Sequence, residues 1–216
     1  MTIACNFTRP GIDKPALLTS DEVNTFFHEF GHALHNLFKD TKFGGTSSPQ
    51  RDFIEFPSQI MEHWAFHPEV LKVYSRHYKT GKNMPDDLMD KLIKKEQYGQ
   101  GFITTEFLAA SLLDMEYHTL NSVPEDFDIE KFETGVLNKY GLIPQIPPRY
   151  RSTYFQHSMS GGYTAGYYMY IWAEQLDSDA FDAFLEKKNI FDTELSHKLR
   201  YENLSRERNH DAMDLY

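Results

Sequence analysis

Phe26-Phe27-His28-Glu29-Phe30-Gly31-His32-Ala33-Leu34 is the most informative stretch of the chain. Its apolar residues, continued by Leu37, recur at the spacing of one helix face. On a helix, side chains four positions apart are neighbours, with Cβ atoms about 5–6 Å apart. His28 and His32 can therefore turn two imidazoles toward one metal ion, at about 2.0–2.1 Å each. Glu29 stands beside His28 at the rim of that face, where it can hydrogen-bond a metal-bound water rather than ligate the ion. The plainer alternative is a chance H-E-x-x-H on an exposed helix. The flanking phenylalanines and leucines argue against it, because burying two histidines and a glutamate without partners is costly.

His35 is a rival third ligand, but it lies seven residues beyond His28, roughly 10 Å along the helix axis. That is too far to share an ion with His28. The metzincin pattern also fails, since it needs Gly where His35 stands and His where Phe38 stands. His35 is read as a packed histidine or one that supports the ligands from behind. A carboxylate from another helix should complete the set. Glu55, at the start of a second helix, and Glu62, two turns further on, both qualify. Two histidines and one carboxylate leave a fourth position for water, the mark of a catalytic site rather than a structural one.

Outward from this motif the patterns are helical. The first helix is expected to start after Ser20 or Asp21, either of which can cap it, and to run to about residue 39. A loop over 41–52 follows, then a helix from about 53–57 to 78 that tolerates Pro57 in its first turn. Further helices are expected at about 86–99, 102–121 and 128–140, the last closed by Gly141. Pro144, Pro147 and Pro148 stiffen a connector. A long helix is expected over about 163–187, with shorter pieces to the end. The fold class is mainly α, with little or no β-sheet; a short strand is allowed only at Phe43–Thr46 or the N-terminus.

Tyr163, Tyr167 and Tyr170 fall at i, i+4 and i+7, one face of that last long helix. An aromatic stripe is ordinarily core packing. Two features point further: a buried tyrosine hydroxyl needs a polar partner, and Gly161-Gly162 offers backbone without side chains where a peptide could approach.

The 216 residues suit one domain with a real core. The net charge of −10 argues against nucleic acid, whose phosphates need a basic surface, and disfavours an anionic membrane. Cys5 is the only cysteine, so no internal disulfide can form. The N-terminus has neither the basic start nor the apolar run of a signal peptide, and no stretch reaches the roughly 18 apolar residues of a membrane span. Cytoplasmic location is the default expectation for these residues.

Phe27-His28-Glu29-Phe30-Gly31-His32, Gly45-Thr46, and Arg51-Asp52-Phe53-Ile54-Glu55-Phe56-Pro57-Ser58-Gln59 together resemble the thimet-oligopeptidase family of zinc peptidases. The bacterial peptidyl-dipeptidase branch is the nearer match, through Glu62-His63-Trp64-Ala65, His67-Pro68 and Pro147-Pro148-Arg149-Tyr150-Arg151-Ser152. The resemblance implies a zincin-like helical catalytic domain over 1–216 with one zinc per chain, held by His28, His32 and Glu55, with Glu62 not a ligand. It implies that Glu29 is the base, and that His157, Gly161, Gly162, Tyr163, Tyr167 and Tyr170 form the substrate segment. Among these, Tyr170 or Tyr163, with His157, would donate hydrogen bonds to the oxyanion. It also implies short peptides as substrates, action as a monomer, and release of C-terminal dipeptides. An endo-acting oligopeptidase and a zinc-binding fragment without turnover are the alternatives. Recognition of a free C-terminal carboxylate suits arginine, and Arg51, Arg149 and Arg151 are the candidates. The family's proteins are longer, so the chain is expected to be a catalytic fragment lacking the N-terminal helical half and the extreme C-terminus.

Overall fold

The computed structural model describes residues 2–46, 48–206 and 210–216. The helices are α1 (Ser20–Phe38), α2 (Phe56–Phe66), α3 (Pro68–Tyr74), α4 (Asp86–Glu96), α5 (Gln100–His118), α6 (Ile129–Lys139), α7 (Gln156–Met159), α8 (Met169–Glu186), α9 (Thr193–Lys198) and α10 (Ala212–Leu215). A π-helical turn over Leu199–Leu204 continues α9. Among the described residues there is no strand, only an isolated bridge between Arg76 and Asn83, and Gly44–Thr46 forms a 3-10 turn rather than a strand. The mainly-α expectation holds.

Local chemistry explains the helix boundaries. Thr19, one residue ahead of the expected caps, closes α1 with a capping box: its hydroxyl accepts from the Glu22 amide and Glu22 accepts from the Thr19 amide. Thr8 also donates its amide and hydroxyl to Glu22, at 2.7 and 2.8 Å. Hydrogen bonds from the Thr19 and Thr8 amides, with the Thr8 hydroxyl, hold the Glu22 carboxyl down to about 2. The helix expected to run to 78 breaks at His67, whose ψ is 135°. The cause is Pro68, since a residue before proline is driven out of the helical region. Gly141, at φ 74°, closes α6 as expected, and the Leu142 amide bonds back to the Leu137 carbonyl at 3.0 Å. The helix expected from 163 starts only at Met169. Gly162 and Ala165 ahead of it have positive φ, 92° and 52°, which no right-handed helix accommodates. Tyr163 and Tyr167 therefore lie before α8, and of the three tyrosines only Tyr170 is on it.

The chain forms two compact units, Met1–Lys94 with Trp172–Tyr216, and Lys95–Ile171. In the first, Phe53, Phe56 and Ile60 pack with Ala173, Leu176, Phe181, Ile190 and Leu204. In the second, Ala110, Phe155 and Tyr167 form a smaller aromatic core with Phe107, Tyr150 and Tyr170.

Gly31 sets the approach of α1 to α2. A Cβ added there would stand 2.2 Å from the Pro57 carbonyl oxygen and 2.6 Å from Ser58 Cα. Both are backbone atoms, so the helices would have to part. Gly31→Ala is expected to cost about 1–3 kcal/mol, as overpacking does, and to weaken metal binding by moving Glu55 away from the histidines. Denaturant unfolding with and without zinc checks this. Unchanged midpoints in both states would show that the close approach is dispensable.

Candidate functional site

α1 carries His28 and His32 on one face, and Glu55 is the residue immediately before α2. The helix packing centred on Gly31 brings the three together. Their ligand atoms all lie within 4.8 Å of one another. His28 Nε2 is 3.2 Å and His32 Nε2 is 3.4 Å from Glu55 Oε2. Donors held about 2.0–2.1 Å from a tetrahedral ion stand roughly 3.3–3.4 Å apart. The spacing thus fits a zinc-sized ion, and the nitrogen and oxygen donors suit zinc chemically.

Glu55 is wholly buried (0% exposed), while the two imidazoles are half-buried. Ser58 Oγ lies 2.8 Å from both Glu55 Oε2 and the Glu55 carbonyl and satisfies this end of the carboxylate. Such a buried charge calls for positive partners, which an ion or protonated imidazoles supply.

Glu62 lies behind this donor set. Its Oε1 is 2.6 Å from His28 Nδ1, and Asn24 Nδ2 donates to its Oε2 at 2.6 Å. With Nδ1–H given to Glu62, Nε2 is left to face the ion, the usual device for fixing a ligand's tautomer and orientation. Spacing left Glu62 open as a ligand. The signal that could have placed it is the need of a metal-bound histidine for an acceptor on its other nitrogen. Burial favours neutral His28, but hydrogen bonds and charge from Glu55 and Glu62 outweigh it and raise its pKa to about 10 without metal. A metal binding at Nε2 would compete with a proton for this ring. Burial, with Asp177 and Glu62 nearby, also pushes the Glu174 carboxyl up.

Glu62→Gln is expected to lower zinc affinity by roughly 10- to 100-fold, the usual effect of losing an outer partner. Competition against a chromogenic chelator measures it, and unchanged affinity would remove Glu62 from the metal's support.

Glu29 is half-buried on α1, outside the donor set. His35 is buried, at 4% exposed, in agreement with a packed role. Arg51 lies on the surface in a 3-10 turn ahead of Glu55.

The second unit assembles the expected substrate segment. The His157 and Tyr163 rings are 5.6 Å apart, Tyr163 stacks on Tyr170 at 5.4 Å, and Tyr167 lies 5.5 Å from Tyr170. Tyr167 is 2% exposed and belongs to the aromatic core, whereas His157, Tyr163 and Tyr170 are half-buried. Burial drives the Tyr167 hydroxyl's pKa up, against the opposing charge of Arg149. Gly161 and Gly162 are exposed. Arg149 lies over the Phe107 ring, 5.3 Å from its centroid. Arg151 Nε is ion-paired with buried Glu133, which also accepts from the Ser152 amide and hydroxyl at 2.7 Å each.

Two histidines and a glutamate whose donor atoms converge, with a second glutamate beside them and no fourth residue in the donor set among the described residues, define a candidate hydrolytic metal centre. The model of Peptidase family M3 matches residues 1–216, and the chain belongs to that family. It is 44% identical over 216 residues to a dipeptidyl carboxypeptidase of Escherichia coli (strain K12), covering 98% of this chain and 31% of that protein. It is 37% identical to oligopeptidase A of the same strain, covering 99% of this chain and 32% of that protein. It is 36% identical to saccharolysin of Saccharomyces cerevisiae, covering 83% of this chain and 26% of that protein. The chain spans about a third of the length of these relatives or less. No helix among the described residues is long and apolar enough to cross a membrane.

Proposed function

We propose that this chain carries the catalytic metal centre of a zinc peptidase that removes dipeptides from the C-termini of short peptides. The observation that carries the metal assignment is the placing of His28 Nε2 and His32 Nε2 at 3.2 and 3.4 Å from Glu55 Oε2. Dipeptide release is favoured by the 44% identity to a dipeptidyl carboxypeptidase, against 37% to oligopeptidase A.

His28, His32 and Glu55 would hold the ion. Zinc, when bound, supplies Lewis acidity toward a carbonyl and a water acidic enough to lose a proton near neutral pH. Glu29 accepts that proton and returns it to the leaving amine, one carboxylate serving both steps. Glu62 keeps His28 in its ligating tautomer. His157, Tyr163 and Tyr170 have the donors to neutralise charge developing on the substrate's carbonyl oxygen, an effect for which a single donor is typically worth about 100- to 1000-fold in rate. Gly161 and Gly162 present exposed backbone without side chains where a peptide could approach, and Tyr167 supports this cluster from the core. Arg51 and Arg151 are the proposed readers of the substrate carboxylate. Glu133, on Arg151, restricts that side chain's reach.

Incubation of the zinc-loaded protein with a free-ended peptide, followed by mass spectrometry, tests the proposal. Stepwise loss of C-terminal dipeptides that stops on chelation is expected. Internal cuts would favour an oligopeptidase, and cleavage that survives full metal removal would overturn the metal assignment.

A further inference from the structure

The segment between α7 and α8 has little regular structure of its own, yet it carries Gly161, Gly162 and Tyr163 and follows directly on His157. Its internal bonds include the Tyr163 amide to the His157 carbonyl at 3.1 Å, Thr164 Oγ1 to the Ser158 carbonyl at 2.9 Å, and the Gly166 amide to the Tyr163 carbonyl at 2.9 Å. Ala165 adopts φ 52°, a conformation that costs a residue with a Cβ roughly 1–2 kcal/mol. The segment is also tied to a neighbouring helix.

That anchor is a single side chain of α5. Asp114 is fully buried (0% exposed). Its Oδ1 accepts from the Ser158 hydroxyl and, at 3.1 Å, from the Ala165 amide; its Oδ2 accepts from the Tyr167 amide at 2.9 Å. His118 Nδ1 lies 2.9 Å from Oδ1 on the other side, and 2.8 Å from the Asp114 carbonyl oxygen. The carboxylate therefore grips the segment at both ends, next to His157 through Ser158 and beyond Tyr163 through Ala165 and Tyr167. The bonds to Ala165 and Tyr167 satisfy amides that have no helical acceptor, because α8 begins only at Met169. Hydrogen bonds to a buried ionised acceptor are among the stronger ones in proteins.

We propose that Asp114 is the positioning residue of the substrate segment: by clamping Ser158, Ala165 and Tyr167 it fixes where His157 and Tyr163 present their polar atoms. The part of this that concerns catalysis rests on the proposed function; the clamp itself does not. Asp114→Asn keeps the shape but removes the charge, and its amide nitrogen cannot accept from an N–H. Ser158→Ala removes only one of the three donors.

Both variants are compared with the parent protein, zinc-loaded, by amide hydrogen exchange and by peptide kinetics. In Asp114→Asn, exchange at Ala165 and Tyr167 should rise roughly 10- to 100-fold while the α1 and α2 amides and the zinc content stay unchanged. Because displacement of positioned groups by about 1 Å can cost on the order of 100-fold, kcat/KM should fall roughly 10- to 100-fold, with KM raised. A merely structural loss would instead reduce the active fraction, lowering apparent kcat at constant KM. Ser158→Ala should move the same readouts in the same direction by less, and it keeps the test decisive if Asp114→Asn does not fold. Unchanged exchange at Ala165 and Tyr167 in a folded variant overturns the clamp. Faster exchange with unchanged KM and kcat overturns the positioning role. A parent protein without peptidase activity counts against the proposed function, and the exchange measurement still decides the clamp.

Discussion

Glu29→Gln in the zinc-loaded protein is expected to lower kcat on a free-ended peptide by roughly 100- to 10,000-fold, the usual weight of a general acid–base group. Zinc content should stay at that of the parent. The amide matches the carboxylate in size and can still hydrogen-bond a water, but it cannot take up a proton and hand it on. The structure makes this substitution a clean test. Glu29 shares α1 with both histidines yet stands outside the candidate donor set of His28, His32 and Glu55, so its replacement leaves those donors in place. At about 1.36 kcal/mol per factor of ten, the expected loss is roughly 3–5 kcal/mol of transition-state stabilisation. The acid limb of the pH–rate profile should disappear with it, since that limb reports the base. Full activity in the variant would remove Glu29 from the mechanism. Loss of zinc together with activity would recast it as a residue that supports the metal.

The metal helix was legible in the sequence because its information is local. His28 and His32 share a face by helical periodicity alone, and the boundaries of α4 to α6 follow from caps, glycine and proline within a few residues of each end. What spacing alone left open depends on partners far along the chain. Glu55 and Glu62 lie two turns apart and both offer a carboxylate to α1; only the packing at Gly31 decides that Glu55 reaches both Nε2 atoms while Glu62 takes Nδ1 of His28. The break at His67, against an expected unbroken helix, follows from Pro68 alone, because proline drives its predecessor out of the helical region. The late start of α8 had no local signal at all beyond two glycines. It goes with the positive φ of Gly162 and Ala165 and with hydrogen bonds to Asp114, whose partners Ser158, Ala165 and Tyr167 are 44 to 53 residues away. Tyr163, Tyr167 and Tyr170 still cluster as the helical spacing suggested, but through a loop that folds back on His157.

Glu55→Gln should have the largest effect on metal binding, exceeding the roughly 10- to 100-fold loss expected of an outer partner such as Glu62. Glu55 Oε2 is the atom toward which both imidazole Nε2 atoms converge, and the side chain is wholly buried. An amide oxygen there offers a weaker, uncharged ligand, and the amide nitrogen gains two protons that the metal-facing imidazoles cannot accept while ligating. The consequence can be read as stability. A ligand that binds only the folded state at 100 times its Kd stabilises it by about 2.7 kcal/mol. At the same free zinc, a 100-fold weaker site retains only about 0.4 kcal/mol of that gain. Unfolding in zinc-buffered solution should therefore show a clear metal-dependent rise in the parent protein and almost none in Glu55→Gln, with Glu62→Gln between them. The reverse order, in which Glu62→Gln loses the metal and Glu55→Gln keeps it, would exchange the two carboxylates' roles. The histidine pair would remain in place, but α2 would have to meet α1 two turns further along than Gly31 now sets it.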